Sequence, residues 1–316
     1  MSSIHFEGKR VALALGGGGA RGAAHIGVIE ELLKRGAHVT AIAGTSMGAV
    51  IGGVLAVGGL DEYSAWLSGL TQRDVVRLLD PSLRSPGMIN AEKIMGRIRE
   101  VIGNVTIEEL PIDYTAVATD LISGKEHWFQ QGPLDIAIRA SIAIPSVVTP
   151  LVHQGRVLAD GGLLNLVPLT PLAAAQADVI VAVSVGGAPR GATAPSLPHS
   201  HADAELESVR AAATHARDVD MLSRIRARLG WERNAASDAS DRARAESESP
   251  INVRTLDVME LSLQAMQRMI TRYQMANYPA DMFIELPVDA CGTMEFHRSK
   301  EMIELGRNAA IAQLDN

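Results

Sequence analysis

The sequence has little cysteine, few aromatic residues and no excess of positive charge. Cys291 is the single cysteine among 316 residues, so the chain forms no intramolecular disulfide and no zinc site built on clustered cysteines. Aromatic residues make up 3% and the formal net charge is -7. These values argue against base stacking and against a uniformly basic surface, so we expect no nucleic-acid partner. Cysteine usage suits a reducing cytoplasm.

The chain also lacks a segment typical of secretion or of membrane insertion. The apolar run at residues 11–15 is too short for a signal-peptide core, and no small-residue cleavage site follows it. Residues 41–60 are apolar and long enough to span a bilayer, but they hold six glycines and a Thr-Ser pair and lack flanking basic clusters. We interpret them as a buried strand, a tight turn and a buried helix. We expect a cytoplasmic protein, at most peripheral to the inner membrane face.

What is present is ample apolar material, 47% of the residues, in alternating strand and helix patterns. Apolar runs at residues 10–15 and 39–43 each end in a glycine-rich turn, and helical spacing follows at 20–34 and 49–57. This alternation indicates parallel strands joined by right-handed crossovers. Further strands are predicted at 113–119, 126–130, 157–159, 178–185 and 281–286, and further helices within 61–110, at 134–143, at 252–273 and from 296 onward.

Residues 186–250 differ in composition from the rest of the chain. They begin with a stretch rich in Pro, Gly, Ala and Ser, continue with charged helical spacing at 202–229, and end in a polar stretch at 234–249. We expect one domain over residues 1–316, with a mobile or lid-like insertion at about 186–250. The arginines of 202–229 are balanced by acidic residues, which favours a solvated face over a membrane-binding one.

A glycine-rich loop at residues 16–22 (GGGGARG) joins the first strand to the first helix. Such a loop turns N–H groups outward at a helix N-terminus and binds anions. The spacing Gly17-x-Gly19-x-x-Gly22 also matches a dinucleotide fingerprint, but that fingerprint needs an acidic residue after the second strand, where this sequence has GTS. The plain alternative is a tight turn that packs the helix close to the sheet.

A second turn at residues 44–48 (GTSMG) has the G-x-S-x-G pattern of a nucleophile elbow. In an elbow the serine stands on a sharp strand-to-helix turn, and small residues at both flanking positions, here Gly44 and Gly48, give clearance. The helix N-terminus also stabilises negative charge near Ser46. Ser46 as a simple helix cap is the alternative. The buried strand before it and the helix after it favour the nucleophile.

A nucleophilic serine needs a base, and no histidine has the expected setting. His297 is the best candidate by chain order, but it lies at the start of a polar helix. His25 lies on the first helix with neighbours that suggest packing or surface, and His199 and His201 fall in the insertion. We therefore predict that the chain has no conventional Ser-His-Asp triad.

Asp160-Gly161-Gly162 follows a short predicted strand. A carboxylate at such a strand end can reach over the sheet edge toward a serine, and burial raises its pKa toward a value useful for direct proton transfer. Asp-Gly is also a common turn pair, and taken alone this motif favours a turn.

Four motifs occur in order: GGGGARG, GTSMG, a helix with Ala140-Ser141-x-x-x-Pro145, and DGG. Their order resembles the patatin-like phospholipase family, whose members use a Ser–Asp dyad. Within it, the chain is most similar to small bacterial members related to the catalytic domain of neuropathy target esterase. The matching region covers about residues 10–185, and the tail segments EFHR (295–298) and ELG (304–306) also look like those members.

The resemblance implies a role for individual residues. Ser46 would be the nucleophile and Asp160 the general base, with Arg21 fixing the glycine loop through carbonyls or a carboxylate. Backbone N–H groups of Gly17, Gly18 and Gly19 would form the oxyanion hole. Supporting positions are Gly22, Gly44, Gly48, Gly161 and Gly162, and Ala140-Ser141 would pack near the dyad with Pro145 ending that helix.

We expect a three-layer α/β/α sandwich with a mostly parallel sheet. The expected activity is hydrolysis of phospholipid, lysophospholipid or related esters through an acyl-enzyme, with no metal or other cofactor and no need for calcium. The expected partners are the ester substrate and, transiently, a membrane surface. Acyl transfer, a catalytically silent regulatory or adaptor protein, and a dinucleotide-binding oxidoreductase stay open as alternatives.

Overall fold

The computed structural model describes residues 5–79, 91–145, 147–190 and 255–315. The chain divides into two compact units, residues 1–190 with 267–316, and residues 191–266. The sheet and every residue predicted for the site belong to the first unit. From residue 191 onward the predicted insertion, including its helix at 202–229, lies outside the described residues. The strand that precedes it continues to Gly187.

An eight-stranded sheet forms the centre of the first unit. Its strands are β1 (Arg10–Leu15), β2 (His38–Thr45), β3 (Asp113–Asp120), β4 (Lys125–Phe129), β5 (Leu151–His153), β6 (Arg156–Asp160), β7 (Val179–Gly187) and β8 (Met282–Pro287). Their order is β5-β6-β3-β2-β1-β7-β8, with β4 also paired to β3. The pairs among β1, β2, β3, β7 and β8 are parallel, whereas β4, β5 and β6 pair antiparallel.

Helices flank the sheet, as expected for a mixed α/β fold. They are α1 (Ala24–Lys34), α2 (Met47–Ala56), α3 (Leu60–Ser68), α4 (Gln72–Leu79), α5 (Glu92–Ile102), α6 (Leu134–Ser141), α7 (Thr255–Asn277) and α8 (Ser299–Leu314). The strand and helix predicted within residues 41–60 are β2 and α2. Within the described ranges, no helix is long and apolar enough to cross a membrane.

The two faces of the sheet bury cores of different size. On β1, Leu13 and Leu15 face the larger core, which α1, α2 and α8 cover, because alternate residues of a strand point to opposite faces. Ala12 and Ala14 face a smaller core beneath the segment that follows Asp160. The alanines let backbone pack close to this face of the sheet, and Met275 of α7 packs against it.

Strand β6 pairs with the same edge of β3 as β2 does, beyond the residue at which β2 ends. Thr45, the last residue of β2, pairs with Val117 of β3. The next residue of β3, Ala118, pairs with Asp160, the last residue of β6. Because β4 pairs with the opposite edge of β3, β2 and β6 share one edge in succession. The ends of two strands that are far apart in sequence therefore meet beside consecutive residues of β3.

Candidate active site

Ser46 stands on a sharp turn between β2 and α2. Its backbone angles are φ 54° and ψ -123°, a conformation that a residue with a side chain rarely adopts. The side chain is buried, with 5% of its surface exposed. Although Ser46 occupies the N-cap position of α2, its hydroxyl makes no capping hydrogen bond. The helix-cap interpretation therefore does not account for this serine, and the strained turn leaves the hydroxyl available for other contacts.

The turn can close only because the residues two positions before and two positions after Ser46 are both glycine. A Cβ atom on Gly48 would lie 2.0 Å from the carbonyl oxygen of Leu15, and one on Gly44 would lie 2.5 Å from the Cα of Ala49. Both contacts are with backbone, which cannot move aside as a flexible side chain can. The first turn of α2 thus packs directly on the end of β1, as an elbow requires.

Asp160 lies next to Ser46 because of the strand register described above. One carboxylate oxygen, Oδ1, accepts a 2.7 Å hydrogen bond from the N–H of Gly162. The other, Oδ2, is buried, and none of the described residues donates to it in hydrogen-bonding geometry. Burial raises the pKa of Asp160 to about 6, against the opposing effects of the Ser46 hydroxyl and the Gly162 N–H. The effect of the Ser46 hydroxyl on this pKa shows that the two side chains are adjacent.

The glycine-rich loop runs past the same place. Gly17 lies against Ser46, since a Cβ on Gly17 would be 3.2 Å from the Cβ of the serine. The N–H of Gly17 donates to the carbonyl of Leu166 at 3.0 Å. The oxyanion hole of Gly17, Gly18 and Gly19 stays a prediction, and the N–H of Gly17 has the carbonyl of Leu166 as its acceptor in this structure. Within the described part of the chain, the N–H groups of Gly18 and Gly19 have no acceptor.

The buried side chain of His25 and the half-buried side chain of Arg21 hold this loop in place. The imidazole Nε2 of His25 lies 2.7 Å from the carbonyl oxygen of Gly16, and burial lowers the pKa of His25 to about 4. The neutral ring, protonated at Nε2, donates to that carbonyl. The guanidinium of Arg21 donates to the carbonyls of Val288 and Cys291, at 3.0 and 3.2 Å. Of the two options predicted for Arg21, these two hydrogen bonds are with carbonyls.

The other predicted glycines serve close packing. Gly22 faces the side chain of Met47, to which a Cβ would come within 2.4 Å. Gly161 lies against the carbonyl of Val117, 2.3 Å from where its Cβ would be. Gly162 supplies the N–H bound by Asp160. The first two glycines thus let the first helix and the DGG turn approach the elbow.

An apolar cavity of about 80 Å³ opens beside Ser46. Apart from Ser46, Gly19 and the phenol of Tyr63, its lining consists of aliphatic side chains, methionines, Trp66 and Phe296. The walls come from α2 to α5, from residues 142–148 and from residues 294–296. A site of this composition accepts a hydrocarbon chain and offers no charged group to a polar ligand.

The histidines do not complete a conventional triad in the described part of the chain. His297 lies in a short 3₁₀ turn, Phe296–Arg298, and is not among the residues that line the cavity. Within the described residues it makes no hydrogen bond to Ser46 or Asp160, and His25 binds the glycine loop instead. His199 and His201 lie outside the described residues. No group of three or more His, Cys, Asp or Glu side chains suited to a metal ion occurs within the described ranges.

Sequence reasoning missed some of the residues that support the site. Asn165 is fully buried, and its backbone carbonyl accepts a 2.8 Å hydrogen bond from the hydroxyl of Thr45, next to the serine. Gln267 of α7 donates to the carbonyl of Gly162 at 2.8 Å. No periodicity marks either residue. The only available signal for Asn165 was its closeness in sequence to Asp160.

Comparisons with known proteins agree with the motifs. The family model described as patatin-like phospholipase matches residues 13–173. An uncharacterised NTE family protein of Mycobacterium bovis is 44% identical over 330 residues, covering 97% of this chain and 91% of that protein. A patatin-like phospholipase domain-containing protein of Caenorhabditis elegans is 33% identical over 57% of this chain and 14% of that protein. The lysophospholipase NTE1 of Coccidioides immitis is 26% identical over 95% of this chain and 17% of that protein.

Proposed function

The chain belongs to the patatin-like phospholipase family, and from this premise we propose that it is a serine lipid acyl hydrolase with a Ser46–Asp160 dyad. Membership of this family supports lipid acyl hydrolase activity in general. The dyad, the oxyanion donors and the acyl-enzyme are the proposal.

One observation carries the proposal: two strands lie in succession beside β3, Asp160 is the last residue of one, and Ser46 directly follows the other. The serine is held at φ 54°, and the adjacent carboxylate has one buried oxygen that receives no hydrogen bond from the part of the chain that the structure describes. Direct proton transfer needs a hydroxyl that the substrate can reach and that lies next to a carboxylate oxygen without a donor. The strained turn at Ser46 favours this arrangement. A turn aspartate with a purely structural role would have no reason to keep Oδ2 unpaired in a buried position.

The reaction follows from these two groups. As Ser46 Oγ attacks the ester carbonyl, its proton passes to Asp160 Oδ2 and a tetrahedral oxyanion forms. Collapse of this intermediate breaks the acyl–oxygen bond, and Asp160 returns the proton to the leaving alcohol. Asp160 then takes a proton from water as the water oxygen attacks the acyl carbonyl. The second tetrahedral intermediate collapses by breaking its bond to Ser46 Oγ, Asp160 returns the proton to that oxygen, and the fatty acid leaves. A pKa of about 6 keeps Asp160 ionised at neutral pH and close to the pKa best suited to both transfers.

Gly18 and Gly19 are the proposed donors to the oxyanion, because their N–H groups have no acceptor among the described residues. Gly17 contributes through its backbone contact with the serine and its bond to Leu166. A single donor of this kind is worth about 3 kcal/mol in well-studied serine hydrolases. Helix α2, which begins at Met47, adds the positive end of its dipole beside Ser46.

The cavity argues for a lipid acyl chain as the acid part of the substrate. Its apolar walls begin at Ser46 itself, so an acyl chain bound there brings its ester carbon to the hydroxyl. Met47 and Met294 in the lining are flexible enough to adapt to chains of different shape. A relative is named lysophospholipase, and we propose lysophospholipid as the first substrate class to test. Membrane contact would then be the transient step that delivers the lipid.

The test is release of fatty acid from lysophosphatidylcholine, followed by mass spectrometry. We expect activity in the native chain and a loss of at least 1,000-fold in Ser46→Ala and Asp160→Asn. Asp120→Asn is the matched control, since Asp120 is also a buried carboxylate at a strand end but bonds to Ser123 and Arg156. It should keep its activity. Equal activity in native and Ser46→Ala chains would contradict the proposal.

A further inference from the structure

Ser141, the last residue of α6, is fully buried, and its hydroxyl joins two other elements. It accepts a 2.9 Å hydrogen bond from the backbone N–H of Ser46. It donates a 2.7 Å hydrogen bond to the carbonyl of Val117 on β3. The single O–H donor and one lone pair of the serine are thus both used, one on each side of the elbow.

The same segment also holds the second member of the dyad. Two residues after Ser141, the carbonyl of Ala143 accepts a 2.8 Å hydrogen bond from the backbone N–H of Asp160. Ser141 and Ala143 therefore bind the backbones of Ser46 and Asp160 from one short stretch of chain. Val117, the second partner of Ser141, precedes the β3 residue that pairs with Asp160. All these groups are buried.

We propose that Ser141 is a positioning residue, and that with Ala143 it forms a dyad clamp that fixes Ser46 and Asp160 relative to each other. This inference rests on the proposed function. The clamp acts on backbone atoms, so it touches neither the substrate nor the reacting oxygen. Ser141 is absent from the lining of the cavity, whereas its neighbour Ile142 belongs to it.

The clamp matters because the turn at Ser46 is strained. A residue at positive φ persists only where its surroundings fix it, and the bond from Ser46 N–H to Ser141 is one such restraint. Without the hydroxyl, the N–H of Ser46 and the carbonyl of Val117 lose a buried partner. The turn then relaxes, and Ser46 Oγ moves relative to Asp160 Oδ2. A displacement of about 1 Å at reacting atoms can lower a rate about 100-fold.

The experiment compares native chain, Ser141→Ala and Ser141→Thr by steady-state hydrolysis of a p-nitrophenyl ester. We expect kcat to fall about 100-fold in Ser141→Ala with KM unchanged, because the cavity is intact. Ser141→Thr, which restores the hydroxyl, should recover to within about tenfold of native. Native kcat in Ser141→Ala would overturn the proposal, and so would a folded Ser141→Thr as slow as Ser141→Ala. If alanine prevents folding, Ser141→Cys replaces it, since a thiol is a weaker acceptor.

Ser299→Ala is the control for loss of a buried serine. In the native chain the Ser299 side chain is as buried as that of Ser141, and its hydroxyl donates to the carbonyl of Phe296 at 2.6 Å. The variant should therefore lose stability but keep kcat. Amide hydrogen exchange separates the clamp from the proposed function. Slow exchange at Ser46 N–H that becomes fast only in Ser141→Ala supports the clamp even in a chain without activity. Equal exchange at Ser46 N–H in the native and Ser141→Ala chains would overturn the clamp. Absence of hydrolysis by the native chain alone would refute only the proposed function.

Discussion

Burial governs the chemistry of Asp160. An exposed aspartate has a pKa near 3.8, whereas the buried site raises the pKa of this carboxyl to about 6. Asp120, at the end of the neighbouring strand, behaves in the opposite way, because hydrogen bonds led by that of the Ser123 hydroxyl lower its pKa. The two carboxylates differ in their partners, because no described residue donates to Oδ2 of Asp160 in hydrogen-bonding geometry. A general base for serine requires a raised pKa, and the burial that raises the pKa of this carboxyl also destabilises the fold when the group is ionised.

Asp160→Asn should therefore stabilise the protein at neutral pH. The folded chain binds the Asp160 proton more tightly than the unfolded chain, so this contribution to stability is complete below pH 3.8 and lost as the pH rises through about 6. Between pH 4 and pH 7 the native chain should lose about 2 kcal/mol of unfolding free energy relative to Asp160→Asn. Urea unfolding of both chains across this range measures the difference.

Asp120→Asn should change the unfolding free energy in the opposite direction in the same experiment. Its depressed pKa contributes stability above its unfolded pKa, and that contribution is lost as the pH falls. The native chain should therefore be more stable than Asp120→Asn at neutral pH. A constant difference between native and Asp160→Asn chains over the whole range would contradict the raised pKa.

The elbow depends on whole elements, because α2 packs directly on the end of β1. Gly48→Ala would bring a Cβ to 2.0 Å from the carbonyl of Leu15, so the helix must move away and take Ser46 with it. We expect a loss of about 1–3 kcal/mol of stability and of most esterase activity. Gly96→Ala is the matched control, since Gly96 lies inside α5 with nothing within 4 Å of its Cβ position.

The control variant should keep its activity and gain up to about 1 kcal/mol, because alanine favours a helix over glycine. Thermal unfolding and p-nitrophenyl ester hydrolysis measure both variants. If Gly48→Ala folds with native stability and native activity, the close contact between α2 and β1 does not hold the serine.

Long apolar strands and helices were predictable from the sequence, whereas short or locally irregular elements were not. The parallel strands β1, β2, β3, β7 and β8 were all predicted within two residues of their ends, because continuous apolar runs mark buried strands. Strand β5 was missed, since three residues show no periodicity and only pairing with β6 defines it. Helix α1 begins at Ala24 because Gly19–Ala23 forms a 3₁₀ turn.

Side-chain environments were harder to predict than elements. Leu33 of α1 is 42% exposed although Leu32 beside it is buried, because helical spacing alone cannot fix the width of the buried stripe. His25 was assigned to packing or surface, and its bond to Gly16 depends on how the loop folds back over the helix. Helix α7 was predicted at 252–273 and extends to Asn277. In each case the missing information is a tertiary contact.

At the scale of the whole molecule, the sheet brings the site together and one face of it supplies the cavity. The motifs at residues 16–22, 44–48 and 160–162 lie far apart in sequence, and they meet because β1 pairs with β2 while β2 and β6 end beside consecutive residues of β3. The larger core and the cavity share this face, so that α2 carries both the elbow and part of the cavity wall. The register of β3 with β2 and β6 is the feature on which the proposed dyad depends most.

The most direct measurement is the rate of labelling by a fluorophosphonate probe in the native chain, Ser46→Ala and Asp160→Asn. We expect labelling of the native chain that rises about tenfold between pH 5 and pH 8, as a base with a pKa of about 6 ionises. Ser46→Ala should not label, and Asp160→Asn should label far more slowly without the rise. Equal labelling of native and Asp160→Asn chains, or no labelling of a folded native chain, would contradict a serine activated by Asp160.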